Sequence, residues 1–380
     1  MKRFTRREFI LTGTAAGTVL TAAGCTTRNI SQTASASGIK YRPLGTTGYQ
    51  VSEIGLGAMN TRDPELISAA IDAGINYIDT GHGYMNGANE EIIGTVMTSK
   101  RDRVFLTTKF RAGADQIEGM LETSLKRLRT DYVDCAMYHG PTSREQMLDP
   151  EYIEVFGRIR DKGQARFVGF STHSNMPEVL AGAVDSKFWQ IAMVSYNFSS
   201  PQEMTDAIEK ARKAGIGIVA MKTLAKGAGN PDRATATVTP NQAALRWVLN
   251  NNNVDTTVPG MTSFEHIAED LAAMGISLAS GDYRDLADKR EKIQGSSCMG
   301  IAGCTGCLNK CPFGVQVHEI NRCLGYAQGY GDIRLARENY AALPVSSRID
   351  ACSHCDECQV KCVNGLNITG NIRKARTLFC

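Results

Sequence analysis

From Lys40 to about residue 285, short apolar runs alternate with amphipathic stretches, and this alternation limits the fold more than any other property of the chain. The runs are Glu53–Leu56, Tyr77–Thr80, Val104–Lys109, Val133–His139, Phe167–Ser171, Ala192–Tyr196, Ile216–Met221 and Thr256–Val258, each of strand length. The stretches between them carry helix punctuation. Asp63-Pro64 offers an N-cap and a first-turn proline, Gly74 a stop, and Leu66, Ile67, Ala70 and Ile71 share one face between them. Ile117, Leu121, Leu125 and Leu128 repeat that spacing. Eight strand–helix units in about 245 residues predict a (β/α)8 TIM barrel. A doubly wound sheet is the competing architecture, but no G-x-G-x-x-G follows the first strand.

The chain has 380 residues, more than one ordinary domain needs. With 42% apolar and 21% charged residues it is globular, which excludes a disordered chain and a multi-spanning membrane protein. A net charge of +3 argues against nucleic acid as a partner. Of twelve cysteines, only Cys25 and Cys135 precede Cys298, so a second module with its own chemistry is expected at about residues 290–380.

The first 25 residues place Arg6-Arg7 before a modest apolar stretch, Ile10 to Ala23, too short for a comfortable membrane span. The segment resembles a twin-arginine export signal. Its end, Ala22-Ala23-Gly24-Cys25, resembles a lipoprotein cleavage site, although Ala22 stands where a large aliphatic residue is usual. The expectation is export to the periplasm, with or without a lipid anchor at Cys25. The Ser/Thr-rich residues 26–39 read as a flexible tether.

In a barrel of this type, chemistry sits at the C-terminal ends of the strands. Asp79, Tyr84, Lys109 and His139 stand there. Singly, each has an ordinary reading: Asp79 as a turn cap, Lys109 as a solvated strand end, His139 as a rim histidine. Together they are coherent. An ionised Asp79 would pair with Lys109, the ammonium would lower the Tyr84 phenol from about 10, and His139 would hold a carbonyl oxygen.

These residues carry a resemblance to the aldo-keto reductase superfamily. Tyr41 to Gly57 resembles the family's opening hairpin and first strand. Asn76-Tyr-Ile-Asp79-Thr, with Tyr84 five residues on, Thr107-Thr108-Lys109, and Met137-Tyr138-His139 are similar to its next three strand ends. The resemblance spans about residues 40–275. It implies hydride transfer between NADP or NAD and a small carbonyl or alcohol substrate, with Asp79, Tyr84, Lys109 and His139 as the catalytic tetrad and Tyr84 as proton donor. It also implies cofactor contacts from Ala58, Met59, Asp79, Ser171, Thr172, Met221, Lys222, Leu224, Met261, Ser263, Glu269 and Asp270. Thr172 replaces a usual Asn, Met193 a usual Gln, and Met221 the aromatic residue that stacks on the nicotinamide. Thioether dispersion can cover a ring face in its place. Neither Thr262 nor His266 is a fixed cation, which leaves the choice between NADPH and NADH open. Lys222 reads either as a surface lysine or as the missing charge.

The second region contains Cys352-x2-Cys355-x2-Cys358-x3-Cys362, preceded by Cys298-x5-Cys304-x2-Cys307-x3-Cys311-Pro312. Three thiolates at such spacing wrap one cubane, while the fourth reaches another cluster in two-cluster ferredoxins. That resemblance implies two 4Fe–4S clusters, one held by Cys298, Cys304, Cys307 and Cys362 and the other by Cys352, Cys355, Cys358 and Cys311. A disulfide framework, a zinc ribbon and a single-cluster remnant are the competing readings. Cys323 is an alternative ligand to Cys298, the first cluster could be a three-iron one, and Cys135 reads as core packing. The region resembles the ferredoxin-like extension found on one branch of the aldo-keto reductases, so the expected fold is the barrel (residues 40–285) followed by a small, mainly α-helical iron–sulfur domain (residues 290–380).

Clusters and nucleotide would have to be loaded before export, and any nucleotide retained. Nicotinamide gives two electrons as a hydride whereas each cluster passes one, and no flavin motif bridges them. The clusters would therefore serve a redox partner protein, be structural, or communicate through a further cofactor. An electron-transfer protein with an inactive barrel is the alternative function.

Overall fold

A strand points alternate side chains to opposite faces, so a closed parallel barrel has one set of residues on its axis and another against its helices. The computed structural model shows both sets; it describes residues 38–225, 238–293, 298, 304, 306–329, 331–352 and 358–380. The export signal, Cys25, the tether as far as Ser37, and Cys355 lie outside the described residues. An antiparallel hairpin, β1 (Tyr41–Pro43) and β2 (Gln50–Ser52), comes first. Eight parallel strands follow: β3 (Leu56–Gly57), β4 (Tyr77–Asp79), β5 (Phe105–Phe110), β6 (Val133–His139), β7 (Ala165–Thr172), β8 (Ile191–Ser195), β9 (Gly217–Met221) and β10 (Thr256–Thr257). They neighbour one another in chain order, the arrangement that βαβ repetition imposes. The ring closes where Gly55 N–H donates to Thr257 O at 2.7 Å and Gly57 N–H to Pro259 O at 2.9 Å. Glu53 and Ile54, expected inside the first strand, take part only through this closing seam, because β10 offers them just two residues of regular partner.

The connecting helices are α1 (Pro64–Asp72), α2 (Ala88–Lys100), α3 (Ala114–Leu128), the short α4 (Arg144–Leu148), α5 (Pro150–Asp161), α6 (Met176–Ser186), α7 (Gln202–Lys213), α8 (Pro240–Leu249) and α9 (Phe264–Ala272). Their starts follow local chemistry. The Asp63 carboxylate accepts from Glu65 N at the start of α1, and Thr239 with Gln242 forms a reciprocal capping box at α8. Ile117, Leu121, Leu125 and Leu128 are buried along α3, in the outer core between strands and helices.

On the barrel axis lie Tyr77, Phe105, Cys135, Met137, Ile191, Met193 and Val219, so Cys135 is core packing. The hairpin plugs the N-terminal end. Leu44 and Val51 join this inner cluster, and the Tyr49 ring meets Phe105 edge-on with centroids 5.2 Å apart. With that end filled, the opposite one is left for chemistry.

After α10 (Ser280–Ile293) the chain builds a helical unit from α11 (Val317–Gly329), α12 (Ile333–Ala341) and α13 (Ile368–Phe379). Val317, Ile320 and Leu324 recur on one face of α11 and share a separate apolar core with Tyr340, Ile349, Ile368 and Ile372. No strand occurs among the described residues of this unit. It sits over the C-terminal ends of the barrel strands: Met59, just past β3, packs against Tyr326, Leu335 and Ala336.

Candidate functional site

The inward residues of each strand end set the floor of the site. Asp79 closes β4, Lys109 follows Thr107 by two on β5, and His139 is the last residue of β6. In register, Asp79 stands beside Thr107, Lys109 beside Met137, and His139 beside Ser171. The alternation that filled the barrel with apolar side chains thus changes to charged and polar ones in its top layer.

Tyr84 reaches this layer from the loop after β4. His82 N–H donates to Lys109 O at 3.0 Å and Tyr84 N–H to Gly81 O at 2.9 Å, which folds the loop back over the strands. A Cβ at Gly81 would lie 3.3 Å from the Tyr84 ring, a tight contact that glycine avoids. Met85 and Asn86 both adopt left-handed backbone, φ +52° and +55°. Behind the loop, the Thr80 hydroxyl pairs with Asn89, whose amide holds Ala58 O at 2.7 Å, and the Thr108 hydroxyl donates to Glu90.

The four expected catalytic residues come together. Lys109 Nζ lies 2.8 Å from one Asp79 oxygen and 2.7 Å from the other, and also donates to Thr80 O. The ammonium sits 4.7 Å from the centroid of the Tyr84 ring, and the His139 ring stands edge-on to that ring at 6.3 Å. Burial opposes the Lys109 charge, yet Asp79 and Tyr84 outweigh it and leave the lysine's pKa raised. Burial also pushes the Asp79 carboxyl up, against Lys109 and the Thr107 hydroxyl that donates to it at 2.9 Å. The Tyr84 phenol departs from the sequence expectation. Burial raises it above its ordinary value and Lys109 offsets only part of the rise, so the phenol stays protonated across the neutral range. Burial, with Arg111 and Lys109 nearby, holds His139 well below 6.5 and therefore neutral.

The residues expected to touch a nucleotide spread along the same rim. Ala58 is buried just past β3, Met59 is half-buried beside Tyr326, and Ser171 and Thr172 are buried at the end of β7. The Thr172 hydroxyl is engaged with Pro141 O at 2.6 Å and Ser174 O at 3.1 Å. Met221 ends β9 against the inner core. Lys222 follows with φ +57° and is half-buried, so its reading as an open surface lysine is replaced. Burial lowers its pKa to about 7, helped by Arg322. Leu224 packs against the barrel core, and Met261 is wholly inside it, its carbonyl taking the Thr61 hydroxyl at 2.7 Å. Ser263 caps α9. Glu269 accepts the Thr239 hydroxyl at 2.5 Å and the Asn241 amide at 3.5 Å, and burial beside Glu269 raises Asp270 to about 8.

Among the described residues, no three His, Cys, Asp or Glu side chains already form a metal-holding group, and none of the ten described cysteines is in a disulfide. Burial pushes the Cys307 thiol up to about 11, with neighbouring Cys298, Cys304 and Cys362 adding to the rise. Cys311, Cys352 and Cys358 line a cavity of about 300 Å³ with Pro312, Val317 and Ile372. Cys323 is fully buried on α11 in the apolar core, against which Cys298, Cys307, Cys311, Cys352, Cys358 and Cys362 pack half-buried.

Sequence reasoning passed over a set of residues above the floor. His173 Nδ1 lies 3.7 Å from Glu319 of α11, and Arg322 grips Glu319 at 2.6 Å. The signal was present in the sequence: Glu319 and Arg322, three apart on a helix with an apolar face, can pair with each other.

Comparison with known proteins agrees with this geometry. Residues 53–233 match the Aldo/keto reductase family. The uncharacterized oxidoreductase YqkF of Bacillus subtilis is 31% identical over 50% of this chain, which spans 66% of that protein. The methylglyoxal reductase DkgB of Escherichia coli O157:H7 is 26% identical, with 62% of this chain and 92% of that protein aligned. The holo form of aldo-keto reductase AKR11C1 from Bacillus halodurans superposes with a TM-score of 0.56 at 25% identity, covering 66% of this chain and 96% of that one. Over residues 53–233 the chain therefore carries a domain of the aldo/keto reductase family, a family of NAD(P)-dependent oxidoreductases.

Proposed function

We propose that the protein reduces a small carbonyl compound, or oxidises the corresponding alcohol, with Tyr84 as the proton donor. The observation that carries this reading is the buried Asp79–Lys109 pair with its ammonium 4.7 Å from the centroid of the Tyr84 ring. The Tyr84 phenol, protonated in this setting, gives its proton to the carbonyl oxygen, and Lys109 stabilises the phenolate left behind. The neutral His139 imidazole orients that oxygen by donating a hydrogen bond from its protonated ring nitrogen. A bound NADPH or NADH supplies the hydride to the carbonyl carbon. The residues present suit such a dinucleotide. Ser199 Oγ, Thr223 Oγ1 and Asn241 Oδ1, just past β8, just past β9 and at the start of α8, are buried without a partner among the described residues. The name of the Escherichia coli relative points to small carbonyl substrates.

The same reading assigns the C-terminal unit two 4Fe–4S clusters, the twin-arginine segment export in folded form, and Cys25 a lipid anchor. Two features support the clusters. Cys298, Cys304, Cys307 and Cys362 are electrostatic neighbours, and Cys311, Cys352 and Cys358 surround one cavity. Cys355, the remaining expected ligand, lies outside the described residues. Thiolate donors at this spacing are the donor set of iron–sulfur centres, and bound clusters would serve one-electron exchange with a partner protein.

Anaerobically purified full-length protein tests both halves. Aldehyde-dependent oxidation of NADPH or NADH, together with a reducible cluster signal in low-temperature EPR, is expected. Absence of aldehyde-dependent nucleotide oxidation overturns the catalytic reading, and absence of iron and acid-labile sulfide overturns the clusters.

A further inference from the structure

A pocket built only from barrel loops would leave Tyr84 and His139 facing solvent. Here both lie beneath the C-terminal unit. Helix α12 packs on the turn Tyr84–Gly87, Tyr326 of α11 contributes to the electrostatics of Tyr84, and Glu319 and Arg322 contribute to those of His139. Glu319 lies 3.7 Å from His173 and 3.6 Å from His318. Arg322 donates to Glu319 at 3.0 and 2.6 Å, to Tyr326 Oη at 2.9 Å and to Asn339 Oδ1 at 2.9 Å. This guanidinium is fixed by its own helix and by α12, which makes α11 a rigid roof.

The charges under that roof do not balance. Asp79 cancels Lys109, and Glu319 cancels Arg322. Two cations remain. Arg111, two residues beyond Lys109, lays its guanidinium over Gly140, the residue after His139, so closely that a Cβ there would be 2.5 Å from Nη2. It has no ion pair or hydrogen bond among the described residues. The Lys222 ammonium likewise has no carboxylate in contact among the described residues, Glu319 and the Cys298 thiol being the acidic groups that act on it from further off. Arg111 and Lys222 both act on His173, and Arg111 also acts on the catalytic imidazole of His139. Arg111 is exposed and Lys222 half-buried, so an anion entering from solvent meets the fixed guanidinium charge with no counter-ion to displace.

We propose that α11 roofs the catalytic pocket and that Arg111 and Lys222 select carbonyl substrates that also bear a carboxylate. This rests on the carbonyl-reduction reading and adds the substrate class. An arginine fork gives such a carboxylate a two-point grip, which fixes the carbonyl against Tyr84 and His139. Glu319 is then a positioning residue that holds His173 and Arg322 in the roof.

The test uses full-length holoprotein and two aldehydes of similar shape, 4-carboxybenzaldehyde and methyl 4-formylbenzoate. The acid should have the higher kcat/KM by about tenfold or more, mainly through KM, a loss or gain typical of one charge-assisted contact. Arg111→Ala should lower kcat/KM for the acid about tenfold more than for the ester, and Arg111→Lys should restore much of the preference. Equal use of acid and ester, or equal loss for both in Arg111→Ala, overturns the proposal. If Arg111→Ala or Lys222→Ala instead weakens nucleotide binding as much as acid binding, the anion they meet is the cofactor's phosphate and the proposal also falls. Calorimetric titration with 4-(hydroxymethyl)benzoate and its methyl ester separates the two readings. Selective binding of the acid without turnover of either aldehyde keeps the anion pocket and removes the reductase chemistry; no selective binding removes the pocket.

Discussion

The Asp79–Lys109 pair allows a sharp test of how the site is held together. Their side chains are 7% and 1% exposed, and Lys109 Nζ donates to Asp79 and to Thr80 O and stands over the Tyr84 ring. Asp79→Leu removes the counter-charge and leaves a buried ammonium with only neutral partners, a defect that costs about 3–5 kcal/mol. For a domain of this size each kcal/mol moves the thermal midpoint by about 2–4 °C, so the barrel should melt roughly 6–20 °C lower. Lys109→Met should cost less, because burial already pushes the Asp79 carboxyl up and it can take a proton while keeping its Thr107 hydrogen bond. The double variant Asp79→Leu/Lys109→Met removes both charges and should recover most of the loss, since a packed apolar pair is about as stable as the ion pair it replaces. Near-ultraviolet circular dichroism melts of the four proteins supply the cycle. A double variant no more stable than Asp79→Leu, or an Asp79→Leu melt unchanged from the parent, refutes the argument.

Two further predictions address the scaffold. Gly94 lies inside α2, where alanine normally stabilises a helix by about 1 kcal/mol, but its Cβ would meet Arg127 O at 2.1 Å. Gly94→Ala should therefore destabilise by roughly 1–3 kcal/mol in a urea titration, and a gain in stability would show that α2 and α3 can part without cost. Asp270 has its pKa raised to about 8 by burial, so the folded state binds a proton that the unfolded chain releases from its ordinary value upward. That contribution is complete below the unfolded carboxyl range and is lost as pH rises through about 8. Asp270→Asn should raise the melting temperature more at high pH than at mildly acidic pH, and a pH-independent difference would mean the carboxyl is charged when folded.

The residues show why some of this was legible in the sequence and some was not. The run Val133–His139, the fourth barrel strand read from the sequence, is β6, because its flanks are polar and six of its residues are in register with β7. The tetrad was readable because a strand end is a position in sequence as well as in space. The direction of the Tyr84 shift was not, since how much burial opposes Lys109 depends on what covers the site, and the cover comes from α11 and α12, some 240 residues away in sequence. Lys222 was left between two readings for the same reason: nothing local says that a lysine after a strand feels charges on a distant helix. The roof itself had only one local trace, the Glu319–Arg322 spacing on an amphipathic helix.

The central claim is that Tyr84 delivers the proton in a carbonyl reduction. The most direct measurement is single-turnover reduction of an aldehyde by the nucleotide-loaded protein, for the parent and for Tyr84→Phe, with nucleotide affinity measured alongside. Loss of the donor should slow reduction by about 10²–10⁴-fold while nucleotide affinity stays within about twofold, because the ring remains and only the hydroxyl is gone. Reduction by Tyr84→Phe within about threefold of the parent rate would contradict the account and assign the proton to another group.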